Sequence, residues 1–152
     1  MQLTRFTDYS FRILIHLARN PGGLATIDEI ASAHRISRNH LVKVVQRLVA
    51  CGYVETVRGK GGGMRLARAA ERIGVGDVAR DMEENMNVVQ CLDDEFRGCA
   101  LLPSCALKPA LVQARESFLA TLDRYRLSDL ILAPPRQPAS AIIRQMPRAQ
   151  RR

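Results

Sequence analysis

The chain has 152 residues, 47% of them hydrophobic and 25% charged, and no apolar run approaches the roughly 20 residues of a membrane span. That length buries one sizeable core without disulfides or metal. The polar start Met1-Gln2-Leu3-Thr4-Arg5 lacks the apolar stretch of a signal peptide, so a cytoplasmic protein with no membrane partner is expected. Four cysteines in a reducing compartment point to metal, redox chemistry or burial rather than to a disulfide framework.

The net charge of +8 is unevenly spread. Residues 1–68 hold 11 Lys and Arg against 4 Asp and Glu, a net of +7. Residues 69–132 hold 7 against 11, a net of −4, and the last 20 residues hold 5 arginines and no acid. This is the footprint of a chain that meets a polyanion with one half; a solvated basic face is the alternative.

Leu3, Phe6, Ser10, Ile13, Leu14 and Leu17 recur at helical spacing and predict a first helix from about residue 4 or 7 to 19, capped by Thr4 or Thr7. Asn20-Pro21-Gly22-Gly23 ends it. Thr26 and Glu29 form a capping box for a short second helix carrying Ile27, Ile30 and Ala31. After the turn His34-Arg35-Ile36, Ser37 caps a third helix to about Cys51, apolar at Leu41, Val44, Val45 and Leu48 and closed by Gly52. Strands over Tyr53–Arg58 and Met64–Ala67 follow, joined by Gly59-Lys60-Gly61-Gly62-Gly63.

Beyond the hairpin, Gly76–Glu84 reads as a helix, and residues 85–105 show no sustained periodicity. Leu107, Leu111, Ala114, Phe118, Leu122, Tyr125 and Asp129 then step by threes and fours, close to a coiled-coil seam, with Leu119 and Leu127 beside it. Pro109 fits only the first turn, which starts the helix near Leu107. Such a seam packs against a second copy or, alternatively, into the chain's own core. Residues 133–152, with four prolines and five arginines, predict a flexible basic tail in which only Ile142-Ile143 suggests a local helix.

The expected fold is therefore mainly α with a small β-hairpin wing, a winged helix-turn-helix plus a long dimerisation helix. Residues 1–70 form the DNA-binding domain, residues 71–132 the cysteine loop and dimerisation helix, and residues 133–152 the tail. In such a domain the start of the third helix enters the major groove, here Ser37-Arg38-Asn39-His40 with Lys43 one turn on. Arg pairs with guanine and Asn with adenine through two hydrogen bonds, while Lys43 and Arg47 suit phosphates. The glycine tip with Arg58 and Lys60 suits a wing beside the backbone or in the minor groove.

Cys91, Cys99 and Cys105 follow the spacing C-x7-C-x5-C between two helices, while Cys51 reads as a buried small hydrophobe. Structural zinc wants four ligands, usually with a CxxC knuckle, and neither a knuckle nor a histidine lies in this segment. An iron–sulfur cluster accepts thiolates and tolerates one other ligand. A redox switch is the remaining choice. No general acid–base constellation occurs, and His16, His34 and His40 all lie in the basic half, so an enzyme is not expected.

Leu3-Thr4-Arg5-Phe6-Thr7-Asp8-Tyr9-Ser10, Ile36-Ser37-Arg38-Asn39-His40-Leu41 and Val57-Arg58-Gly59-Lys60-Gly61-Gly62-Gly63, with the cysteine trio before a long helix, resemble the NsrR/IscR superfamily of bacterial winged-helix regulators. The resemblance spans residues 1 to about 132 and is to the NsrR type, the nitric-oxide-sensitive repressors. It implies a homodimer on a double-stranded operator, with one cluster per subunit, 4Fe–4S ahead of 2Fe–2S, held by Cys91, Cys99 and Cys105. It also implies a fourth ligand from an acid of the partner's first helix, the position of Asp8, and release of DNA on nitrosylation. Without the resemblance Asp8 reads as a first-turn acid favoured by the helix dipole. Members of the IscR type carry a histidine three residues after the last cysteine; Lys108 stands there, which disfavours that type. A redox or iron sensor with a 2Fe–2S cluster is the alternative.

Overall fold

In the computed structural model, residues 2–93 and 95–131 are described. The segment suggested by Ile142-Ile143 and the rest of the tail lie outside them. Helix α1 (Arg5–Ala18) is capped by Thr4, whose hydroxyl accepts from the Thr7 N–H at 3.3 Å; Thr7 itself is buried inside the first turn. Helix α2 (Ile27–His34) starts with the capping box, the Thr26 N–H donating to the Glu29 carboxylate at 2.6 Å and the Thr26 hydroxyl accepting from the Glu29 N–H. Those bonds hold the Glu29 carboxyl below its usual range. Helix α3 (Arg38–Ala50) is capped by Ser37. Between α2 and α3, Arg35 adopts φ 55°, the left-handed region that L-residues rarely enter.

Strands β1 (Val54–Val57) and β2 (Gly63–Leu66) pair antiparallel with Val54 opposite Leu66; β1 is one residue shorter at each end than the sequence suggested, and β2 has the expected length but starts and ends one residue earlier. Ala25 and Met64 exchange backbone hydrogen bonds at 2.8 and 3.0 Å, fastening the wing to the chain just before α2. Helix α4 (Val75–Met82) follows a single 3-10 turn, starting one residue earlier and ending two earlier than expected. Helices α5 (Leu107–Leu122) and α6 (Leu127–Ile131) complete the described chain.

The core gathers around α1, which packs against α2, α3, α4, α6 and β2. Ile13, Leu14 and Leu17 meet Ile30, Leu41, Val44, Leu48, Tyr53, Val54, Met64, Ile73, Val78 and Leu127, all fully or nearly fully buried. Each such aliphatic contributes roughly 1.5–3 kcal/mol by leaving water. The apolar positions expected of α1 and α3 are the ones that supply it.

The seam from Leu107 to Asp129 is not one helix. It breaks after Leu122, because the chain at Tyr125 to Leu127 pairs with the segment before α4. The Val75 N–H donates to the Tyr125 carbonyl at 3.0 Å, and the Leu127 N–H donates to the Ile73 carbonyl at 2.9 Å. Asp129 caps the restart by accepting from the Arg126 N–H at 2.7 Å. Leu127 thus enters the core, and Leu119, not the expected seam, is the buried residue of α5. Leu111, Phe118 and Leu122 are half-buried, Ala114 is exposed, and Leu107 is 62% exposed. Arg80 binds both carboxylate oxygens of Asp123 at 2.7 Å, clamping α4 to the end of α5.

Candidate nucleic-acid interface and cysteine loop

Helix α3 divides into two faces at its first turn. Leu41, Val44, Val45 and Leu48 are buried, while Ser37, Arg38, Asn39, His40 and Lys43 are all exposed. His40 leans on Tyr9 of α1, with rings stacked at 6.4 Å and 28°. The structure therefore brings the expected reading residues together on one solvent-facing surface. Arg58 and Lys60 are exposed at the wing tip, where Gly59 and Gly61 take φ of 102° and 79°. Gly62 has a different reason for being glycine: a Cβ there would lie 2.3 Å from the Val57 carbonyl oxygen, closing the turn to any side chain.

The acids of this half are all engaged. Asp8 pairs with Arg12 at 2.9 Å, Asp28 with Arg38 at 3.0 Å, Glu55 with Arg65 at 2.6 Å, and Glu29 serves the cap of α2. Arg5, Arg19, Arg35, Lys43, Arg58 and Lys60 are exposed and have no ion-pair partner among the described residues. The positive field of this half is thus carried by side chains able to meet a phosphate.

Arg47 is placed differently from the phosphate contact expected of it. Its Nε and a terminal nitrogen donate to the Asp81 backbone carbonyl at 3.2 and 3.1 Å. The Tyr53 hydroxyl, at the root of the wing, donates to the Asp81 carboxylate at 2.5 Å. Burial, and then this bond, push the Tyr53 phenol far above its usual range, so it stays a neutral donor. The Arg68 guanidinium lies over the Tyr53 ring, 4.4 Å from its centre. One residue pair on, Glu83 accepts from the Thr4 N–H at 2.8 Å and from its hydroxyl at 3.1 Å. The end of α4 is therefore bonded to α3, to the wing root and to the start of α1. No sequence signal announces these contacts, which span 28 to 79 residues.

From that end the chain enters the cysteine segment. Among its described residues the regular structure is two single 3-10 turns, Gln90–Leu92, which contains Cys91, and Leu102–Ser104, which Cys105 ends. Leu92 is buried, and the Arg115 guanidinium donates to the Asn87 side-chain oxygen at 3.1 Å, tying the segment to α5. Cys91, Cys99 and Cys105 are free thiols and half-buried; Cys51 is also half-buried, packed against the core rather than within it. Among the described residues no three His, Cys, Asp or Glu side chains lie together as a metal ion requires. Asp8 stands in the first turn of α1, about half exposed and held by Arg12. No helix among the described residues is long and apolar enough to cross a membrane.

Residues 3–133 match the family model of Rrf2, described as iron-dependent transcriptional regulators. The chain is 48% identical over 132 residues to the HTH-type transcriptional regulator NsrR of Bacillus subtilis, covering 86% of this chain and 90% of that protein. It is 42% identical to the NsrR of Shouchella clausii over 133 residues, 87% of this chain and 89% of the relative. Among solved structures, CymR, the global cysteine regulator of B. subtilis, superposes with a TM-score of 0.72 at 27% identity, covering 89% of this chain and 99% of that one. IscR of T. potens gives 0.69 at 25% identity over 97% and 93%.

Proposed function

The chain belongs to the Rrf2 family of winged-helix transcriptional regulators, and from that premise we propose that it is a homodimeric repressor that releases its operator when nitric oxide reaches an iron–sulfur cluster. The observation that carries the DNA half of this reading is the exposed first turn of α3 beside a glycine wing, both in the half of net charge +7. Arg38 and Asn39 read base edges, Ser37, His40 and Lys43 flank them, and Arg58 and Lys60 reach the backbone or minor groove. A second copy docks on the half-buried apolar face of α5, and dimer geometry sets the half-site spacing at about one helical turn.

The donor set suits the cluster by chemistry. Cys91, Cys99 and Cys105 are free thiols, and the segment that carries them has little hydrogen-bonded structure to break as the sulfurs close on iron. These three would hold it, with the partner's Asp8 as the fourth ligand. When bound, the cluster would supply iron that takes up nitric oxide, most readily where the ligand is carboxylate, a harder and weaker donor than thiolate for such iron. The rest is done by the chain. Arg12, one turn from Asp8, pairs with both carboxylate oxygens and supplies a partner when Asp8 is not a ligand. Asp81 and Glu83 pass movement of the cysteine segment to α3, the wing root and α1, since they bond all three. Shifting a regulator between mostly bound and mostly free takes about 5 kcal/mol of differential binding, a scale that several such contacts acting together approach.

Native mass spectrometry of protein purified without oxygen tests the ligand set. Cys91→Ser, Cys99→Ser and Cys105→Ser should each yield iron-free dimer, and Asp8→Ala should bind iron weakly. Full iron loading in any of the three cysteine variants removes that residue from the set.

A further inference from the structure

Arginines in this protein differ in which nitrogens they commit. Arg80 uses both terminal nitrogens on Asp123, Arg12 and Arg47 each use Nε together with a terminal nitrogen, and Arg115 uses Nε and both terminal nitrogens. Arg38 bonds through Nε, to Asp28 Oδ1 at 3.0 Å, and among the described residues its terminal nitrogens have no partner. Arg38 is the first residue of α3, whose first turn carries no acid of its own. Asp28 reaches it from the first turn of α2, ten residues away.

We propose that Asp28 is a specificity-determining residue: it holds Arg38 by Nε so that the terminal nitrogens face outward as a pair, the arrangement that takes the O6 and N7 acceptors of guanine. This rests on the reading of Arg38 as a base-contacting residue. Two physical effects follow from an acid at that place. The long side chain is ordered before DNA arrives, which lowers the entropy lost on binding. The carboxylate also repels phosphates, so Arg38 is turned away from the sequence-blind backbone and toward base edges, whose acceptors are neutral. The pairing is exposed on both sides and adds little to folding stability. Its effect is on what Arg38 selects.

The full chain, purified without oxygen, would be used to enrich a random double-stranded DNA pool, and binding to base-substituted duplexes would be measured across salt. Asp28→Asn keeps size and removes charge. It should lower discrimination for guanine at one position by about 3- to 10-fold, the scale of ordering one such side chain. It should also raise affinity for non-selected DNA and steepen the salt dependence by about one phosphate contact. Glu55→Gln makes the same charge change at another arginine held through Nε, Arg65 on the wing, and should leave that guanine preference in place. If Asp28→Asn selects the same site with preference intact while Arg38→Ala loses it, the proposal for Asp28 is overturned and the base-reading role of Arg38 stands. If Arg38→Ala keeps the guanine, the reading beneath the proposal falls, and the proposal with it. An equal loss of preference in Glu55→Gln would also overturn it, reducing the effect to net charge.

Discussion

Replacing Tyr53 by Phe removes one oxygen and keeps the ring. The side chain is 2% exposed, so packing against the core survives and the change isolates the 2.5 Å bond to the Asp81 carboxylate. A hydrogen bond to a charged group contributes about 1.5–3 kcal/mol, and the lower end applies because the half-exposed Asp81 carboxylate regains water when the donor leaves. For a chain of this length about 1.5 kcal/mol corresponds to a fall in Tm of roughly 3–6 °C. Arg47 binds the Asp81 backbone carbonyl, not its side chain, so α3 keeps that anchor in the variant. Differential scanning calorimetry on the iron-free protein measures the fall. An unchanged Tm would refute the bond as a structural tie, and with it the route from α4 to the wing root.

Arg35 holds a left-handed conformation at the turn between α2 and α3, so Arg35→Gly should raise stability by about 1 kcal/mol, seen as a higher urea midpoint; a lower midpoint would show that the side chain contributes more than the strain removes. The His34 Nε2 is buried without a hydrogen-bond partner among the described residues, and burial first, then His16, Arg12 and Arg19, lower its pKa against a smaller opposing effect of Asp8. The folded state thus binds fewer protons than the unfolded one, so this contribution is fully present above pH about 6.5 and is lost as pH falls through that value toward the lower folded pKa. His34→Phe should flatten the decline in unfolding midpoint between pH 7 and pH 5, and an unchanged decline would place the titrating group elsewhere. Deleting residues 133–152, which carry five arginines, should reduce the salt slope of DNA binding; an identical slope would mean that the tail does not touch DNA.

The helix-turn-helix and wing were legible because their signals are local. Thr26 with Glu29, Ser37 before α3, and the glycine hairpin each work within a few residues, and the alternation of faces on α3 follows from helical spacing alone. The break after Leu122 was not legible. The apolar step runs on through Tyr125 and Asp129, while the turn is made by backbone bonds to Ile73 and Val75, some fifty residues away, which no local pattern encodes. The partner of Arg47 was hidden for the same reason: it is a carbonyl on another helix. The three cysteines advertised a chemistry, but a segment without periodicity offers no rule for turning C-x7-C-x5-C into distances.

The most direct test combines visible absorption with DNA mobility shift on protein purified without oxygen, titrated with nitric oxide. The account predicts iron–sulfur absorption and a retarded DNA complex at the start, then loss of both over the same range of added nitric oxide. An iron–sulfur signal indifferent to nitric oxide, or colourless protein that binds its selected DNA as tightly as the iron-loaded form, would contradict it.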